Sequence, residues 1–319
     1  MLLSMAHVAG NGGPARADEG GASFWFLGSY ASQAAIAPAP GFSIDTTYYS
    51  SGGSSKRWIS TSDGRLELGS STSSTYLMLT PSYAFETPVL GGRFEFGVTV
   101  LAGNYSSTLW TALSRAGGLA QFDTTSDSMT ALGDLYPQAS LKWHREVHNF
   151  MAYVTANVPV GAYSANRQAS VGSGTWALDG GVGYTYYNKN TGLEFSAVLG
   201  STYNFMNPYT AYQSGIDLHL ELAASQYVTD SLSLGLAGYL YHQVTGDSGS
   251  AAVLGPYMAR VAGIGPQLGY DFKLGSRAAS ISARGYYEFA GQNRDQGWNT
   301  WLSLVIAWGP FSGKLAKDR

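Results

Sequence analysis

The chain has 319 residues, enough for one large domain or two ordinary ones, and only 12% of them are charged, against about 25% in an ordinary soluble domain. The net charge of −3 and the lack of a basic patch interleaved with aromatic residues give no indication of nucleic-acid binding. Cysteine is absent, which excludes disulfides, thiolate metal ligands and a cysteine nucleophile.

The first 17 residues resemble a signal peptide that is degenerate or has a wrong start. Ala15-Arg16-Ala17 forms the small-residue pattern of a signal-peptidase site, directly before Asp18. The charged n-region is missing, and the apolar core is short and interrupted by glycine. The alternative is a plain N-terminal tail.

Residues 18–40 precede the first predicted strand and do not share its pattern. They hold an aromatic cluster, Phe24, Trp25 and Phe26, followed by small residues and two prolines. This composition suits a segment that folds into the interior of a barrel as a plug or constriction. The other interpretation is a linker at the periplasmic rim.

Two-residue alternation of apolar and polar side chains then recurs along the chain. No apolar run approaches the roughly 20 residues of a membrane-spanning helix, whereas most of these segments reach the ~9–11 residues with which a tilted strand crosses a bilayer. About twelve strands are predicted, at residues 41–50, 73–87, 92–105, 129–145, 148–161, 175–188, 192–206, 213–228, 231–245, 259–273, 278–291 and 297–308.

Short and long connections alternate strictly between these strands. Tight turns such as Glu146-Val147 and Thr229-Asp230 alternate with longer links such as 51–72, 106–128 and 162–174. Membrane barrels have this arrangement, with tight turns at one rim and longer loops at the other. Open sheet edges are excluded from hydrocarbon, so the sheet must close. The sequence therefore predicts an all-β, closed antiparallel transmembrane barrel over 41–308, with a tail at 309–319.

The polar face of the predicted strands should line the lumen. In residues 216–222, for example, four apolar side chains alternate with Asp217, His219 and Glu221. A mixed-charge lining argues against strong ion selectivity, although opposed charges across a narrow pore can set a transverse field. The predicted lumen residues are Arg93, Glu95, Asp134, Lys142, Glu194, Asp217, His219, Glu221, Gln267, Asp271, Arg284 and Glu288.

Catalytic and metal chemistry find little support in the sequence. The five histidines show no tight metal-ligand spacing. His219, between Asp217 and Glu221, is either ordinary polar lining or a cation-binding spot. A lipid hydrolase would need an outward-facing Ser–His pair with a third orienting group, and His242 and Ser303 do not form a convincing one. We therefore expect neither an enzyme nor a cofactor.

Six extended stretches of the chain carry a family resemblance: they are GGASFWFLGSYASQAAIAPAPGF, TPSYAFETPVLGGRFEFGV, GDLYPQASLKW, HNFMAYVTANVPVGAY, GGVGYTYYNKNTGLEFSAVLGSTYNF and VTGDSG. They closely resemble the meta-pathway of phenol degradation family of outer-membrane proteins, which includes the SphA-like porins. The resemblance runs from about residue 19 to 308 and provides no catalytic motif. It implies an outer-membrane barrel that transports small hydrophobic or aromatic compounds.

Passive uptake of a small hydrophobic or aromatic solute across the outer membrane of a Gram-negative bacterium is thus the leading functional hypothesis. Twelve strands place both termini on the short-turn rim, which would be periplasmic. The alternatives are a general diffusion porin and a structural barrel with a filled lumen. Wide aqueous channels usually have about 16–18 strands, which argues mildly against the first alternative. Outer-membrane lipid is the other expected partner, and the sequence does not indicate an oligomeric state.

Overall fold

A computed structural model describes residues 23–61, 64–115, 118–252 and 255–308. None of these residues forms a helix long and apolar enough to cross a membrane. The predicted signal peptide at 1–17 and the predicted tail at 309–319 lie outside the described residues. The strands are β1 Gly41–Thr61, β2 Gly64–Ala84, β3 Arg93–Arg115, β4 Gly118–Arg145, β5 His148–Asn157, β6 Ala177–Asn188, β7 Leu193–Asn204, β8 Tyr212–Gln213, β9 Asp217–Tyr227, β10 Leu232–Gln243, β11 Ser248–Gly249, β12 Arg260–Leu274, β13 Arg277–Gln292 and β14 Gln296–Ala307.

Twelve of these strands form one closed barrel. Each strand pairs antiparallel with its chain neighbour, and β1 pairs with β14 from Ser43↔Ala307 to Ser54↔Gln296 to close the sheet. The two short strands β8 and β11 form a separate two-stranded sheet in the loops. The predicted closed antiparallel barrel of twelve strands is confirmed.

The two faces of the barrel wall differ as the alternation requires. In β9, Leu218 and Leu222 are exposed, whereas Asp217, His219 and Glu221 are almost completely buried. Exposed aromatic side chains also gather near the short-turn rim, where Phe42, Tyr83, Phe96 and Trp308 lie at or beside strand ends. Such a band of apolar side chains with aromatic residues at its border suits contact with lipid.

The described residues of two predicted long links are in fact strands. Residues 51–72 continue β1 and β2, which pair without a register shift from Gly41↔Ala84 to Thr61↔Gly64. Residues 106–128 likewise belong to β3 and β4 and pair as far as Arg115↔Gly118. The sequence conceals these extensions because short polar residues predominate on both of their faces and apolar side chains are few, so no sustained apolar alternation marks them. The strands have 21, 21, 23 and 28 residues, about twice what a bilayer crossing needs.

The longer irregular connections lie at the same rim as these extensions. They span residues 158–176, 205–216 and 244–259, the last described except for 253–254. Asp134 on β4 holds the first of them in place. Its carboxyl group accepts hydrogen bonds from the backbone of Gly161 and Ser173, both at 2.8 Å, and from the side chain of Asn157 at 3.0 Å. At the opposite rim, turns such as 146–147 and 189–192 remain short.

Candidate functional site

Residues 23–40, called the N-terminal segment below, run inside the barrel. Trp25 and Leu27 are 6% and 4% exposed, and Ala35 is fully buried. The segment has no regular secondary structure, so its backbone groups need partners on the barrel wall. The inner faces of β6, β7, β9, β12 and β13 supply them.

Glu221 on β9 accepts three hydrogen bonds from the segment. One carboxyl oxygen receives the indole N–H of Trp25 at 2.8 Å and the backbone N–H of Gly28 at 3.1 Å. The other receives the backbone N–H of Tyr30. A single buried carboxyl group thus organises the turn that follows the aromatic cluster.

Glu194 on β7 makes a second attachment, which begins two residues after Tyr30. Its carboxyl oxygens accept the hydroxyl of Ser32 at 2.6 Å and the backbone N–H of Gln33 at 2.8 Å. The Ser32 and Ser225 hydroxyl oxygens lie 2.6 Å apart. Glu194 and Glu221 are 0% and 1% exposed, so their hydrogen bonds to the segment are shielded from competition by water.

Side chains of the nearby strands β12 and β13 donate hydrogen bonds to oxygen atoms of the segment. Arg284 on β13 donates from Nε to the Gly28 carbonyl at 3.0 Å and from Nη2 to the Ser29 carbonyl at 3.1 Å. Gln267 on β12 donates to the Ser32 hydroxyl at 2.8 Å. Glu221 of β9 and Arg284 of β13 therefore bind N–H and C=O groups of the same turn.

Aromatic contacts complete the fit of the cluster. Trp25 stacks on His219 with ring centroids 3.8 Å apart. Phe26 meets four rings edge-on at centroid distances of 5.4–6.5 Å, a favourable arrangement for aromatic pairs. The four rings belong to Tyr49, Tyr76, Tyr136 and Trp301.

Gly28 lies close to the barrel wall. Its φ of +84° is in the left-handed region, and a Cβ atom there would come within 2.7 Å of the Tyr286 ring. Glycine adopts this backbone conformation without strain and has no Cβ atom to clash with the ring.

Two cavities lie on the two sides of the N-terminal segment. The first, about 540 Å³, is lined by Phe24–Leu27 together with the strand ends and loops of the long-loop rim. The second, about 700 Å³, is lined by Ile36–Pro40 and residues of the short turns. The cavities share no lining residue, and residues 28–35 connect their borders.

The first cavity is rich in aromatic residues with polar groups at their edges. Its aromatic lining residues include Phe24, Trp25, Phe26, Tyr49, Tyr76, Tyr105, Tyr136, Tyr163, Tyr257 and Trp298. Glu288, Arg294 and Asp295 also border it. Its volume falls in the range of about 300–1,000 Å³ that is typical of small-molecule sites.

The structure places all twelve predicted lumen residues on the inner side of the wall, with different partners. Glu194, Glu221, Gln267 and Arg284 contact the N-terminal segment, as described above. Near the short-turn rim, Arg93 donates to the carbonyls of Phe85 and Glu86, and Glu95 forms an ion pair with Lys142 at 3.4 Å. Asp134 holds the loop 158–176, Asp217 accepts a hydrogen bond from Asn204 at 2.8 Å, and Glu288 accepts one from Tyr239 at 2.8 Å. His219 stacks on Trp25, and Asp271 is half-buried on β12.

Asp179 and Tyr153 belong to the same buried cluster, although sequence reasoning missed them. His219 Nε2 lies 3.1 Å from Asp179 and 3.2 Å from the Tyr153 hydroxyl, which itself donates to Asp179 at 2.7 Å. The alternation of Asp179 with Leu178 in β6 was the available signal for its inward position. The described residues contain no group of three or more His, Cys, Asp or Glu side chains arranged for a metal ion.

The fold resembles solved outer-membrane barrels. A crystal structure of an outer membrane channel from Pseudomonas putida F1 matches with a TM-score of 0.65 and 15% identity, over 88% of this chain and 99% of that one. A crystal structure of a FadL homologue from Pseudomonas aeruginosa matches with a TM-score of 0.40 and 9% identity, over 83% of this chain and 88% of that one. No curated protein matches the chain.

A closed barrel of twelve strands with an apolar outer face defines this protein as an outer-membrane β-barrel with the fold of a channel. A family model described as "Putative MetA-pathway of phenol degradation" matches residues 40–304. The chain belongs to this family.

Proposed function

We propose that this barrel is a channel for the passive uptake of small hydrophobic or aromatic compounds. The observation that carries the proposal is the aromatic cavity of about 540 Å³ at the long-loop rim, with the N-terminal segment between it and a second cavity. Aromatic faces replace the hydration of an apolar solute, and the tyrosine hydroxyls accommodate a polar substituent. The family description, with its reference to phenol degradation, supports this class of solute.

The N-terminal segment acts in this proposal as a plug that moves. Its attachments are hydrogen bonds and ring contacts, which water and an entering solute replace when the segment leaves. The floor of the aromatic cavity is formed by Phe24–Leu27, so an entering solute competes directly with the aromatic cluster for its ring contacts. No cofactor or energy source is required.

Single-channel recording in a planar bilayer tests the proposed function. The refolded protein is expected to give a small conductance that added phenol blocks in a saturable manner, because phenol occupies the aromatic cavity. A large steady conductance indifferent to phenol would favour a general diffusion porin. Silence in a sample shown to be folded by heat-shifted gel mobility would favour a structural barrel with a filled lumen.

The proposed orientation places the short turns and both termini in the periplasm, with the extensions of β1–β4 outside the cell. Because the chain contains no cysteine, single cysteines report their own position. A membrane-impermeant maleimide should label Ser60→Cys, in the exposed part of β1 near its end, on intact cells. It should label Lys189→Cys, in a short turn, only after the outer membrane is permeabilised. The reverse pattern would contradict the orientation.

A further inference from the structure

The outward face of β1–β4 changes character abruptly along the strands. Its last apolar row crosses the four strands through Tyr48, Leu77, Ala102 and Leu132, which are register partners. Tyr48, Leu77 and Leu132 are 47%, 56% and 71% exposed, as expected of side chains that face lipid. The next row on the same face is polar throughout.

Three successive rows above this border carry short neutral side chains. The first row is Ser50, Thr75, Asn104 and Thr130, and the third is Ser54, Ser71, Thr108 and Ser126. Glycine and serine fill the row between them. We call the three rows the hydroxyl face. All of its side chains are exposed or half-exposed, and some bond to one another, such as Thr108 to Ser126 at 2.9 Å.

The hydroxyl face contains no charged residue at any of its twelve positions. Soluble surfaces are designed with about 25–35% charged side chains, so an uncharged face suggests a neighbour other than water. Charged residues appear only above this face: Lys56 lies 5.8 Å from the Trp110 ring centroid and 3.7 Å from Glu67, and Arg65 lies 3.9 Å from the Trp58 ring centroid. The described outward surface thus passes from apolar to hydroxyl-rich to charged and aromatic.

We propose that the hydroxyl face binds the saccharide part of lipopolysaccharide in the outer leaflet. The hydroxyl face continues directly from the lipid-facing belt. A lipid whose acyl chains contact Leu77 and Leu132 therefore places its headgroup against these three rows. Serine and threonine hydroxyls both donate and accept, which matches sugar hydroxyls. Lys56 and Arg65 attract acidic groups of the saccharide. The exposed Trp58 ring stacks on a sugar through the face that Arg65 does not cover. This inference rests on the orientation proposed above, not on the transport of a solute.

Native mass spectrometry of the purified barrel in detergent tests the proposal. Rough lipopolysaccharide, which carries the core saccharide, is expected to bind at least tenfold more tightly than lipid A, which shares its acyl chains. In Ser71→Glu/Ser73→Glu, two carboxylates repel the acidic saccharide, and this preference should fall at least tenfold. Ser71→Asn/Ser73→Asn keeps neutral donors and acceptors and should retain the preference within about twofold.

Equal binding of rough lipopolysaccharide and lipid A by the natural chain would overturn the proposal, because acyl contact alone would then explain it. An unchanged preference in the Glu variant, shown to be folded by heat-shifted gel mobility, would overturn it as well. Neither result depends on conductance or on phenol, so failure here is distinguishable from failure of the proposed channel. Labelling of Ser60→Cys from the periplasm alone would overturn the orientation on which this inference rests.

Discussion

Replacing residues 23–35 with a glycine–serine sequence of equal length is expected to raise single-channel conductance several-fold. The replacement removes the side chains of the aromatic cluster and the hydroxyl of Ser32, which contact the inner wall at Glu221, His219 and Glu194. A chain of glycine and serine has high conformational entropy and no rings to pack, so it has little reason to stay docked in the lumen. Recording in a planar bilayer at fixed salt measures the effect.

The equal length keeps the entry into β1 unchanged, so barrel assembly serves as the internal control. Heat-shifted gel mobility should be the same for both proteins. If the folded replacement variant conducts like the natural chain, the N-terminal segment does not restrict the pore, and the plug hypothesis fails.

Glu221→Ala is expected to release the N-terminal segment without altering its sequence. The substitution leaves the indole of Trp25 and the backbone N–H groups of Gly28 and Tyr30 without their acceptor. Hydrogen bonds to charged groups contribute about 1.5–3 kcal/mol each, and because such contributions are not additive we expect a loss of at least about 3 kcal/mol in docking. This corresponds to a shift of more than about a hundredfold toward the detached state. Longer or more frequent openings in single-channel traces would report it.

Asp217→Ala is the matched control for that prediction. Asp217 is also a buried inner-face carboxylate of β9, but its carboxyl group accepts a hydrogen bond from Asn204 at the end of β7, in the wall, and Asp217 does not line the aromatic cavity. Its loss should leave openings close to those of the natural chain. If both variants open equally, a general loosening of the barrel explains the result, and the specific role of Glu221 is contradicted.

The architecture could be predicted from sequence because lipid imposes a strict pattern on a barrel wall. In β9 and β14 most side chains on the lipid-facing side are apolar, and their two-residue alternation indicates the strand, its outward face and its register. The apolar alternation disappears where the strands of the barrel wall extend beyond the lipid-facing belt. The described residues of 51–72 and 106–128 are strands with mainly short polar side chains on both faces, so the same rule predicted loops there.

The partners of the predicted lumen residues could not be read from the sequence. Parity places Glu221 and Arg284 on the inner face, but only the folded chain shows that they hold opposite sides of one turn. Asp179 was missed because its strand is rich in glycine, which weakens the alternation. The position of the aromatic cluster against His219 depends on contacts nearly 200 residues apart, beyond any local pattern.

Locking the N-terminal segment to the wall tests most directly whether uptake requires it to move. The hydroxyl oxygens of Ser32 and Ser225 lie 2.6 Å apart, close enough for Ser32→Cys/Ser225→Cys to form a disulfide, and no other cysteine interferes. The measurement is uptake of a labelled aromatic compound, at limiting concentration, by intact cells that produce this variant. Oxidation should lower uptake to the level of cells without the protein, and reduction should restore it. Equal uptake with the disulfide formed and reduced, as verified on a gel, would contradict the account.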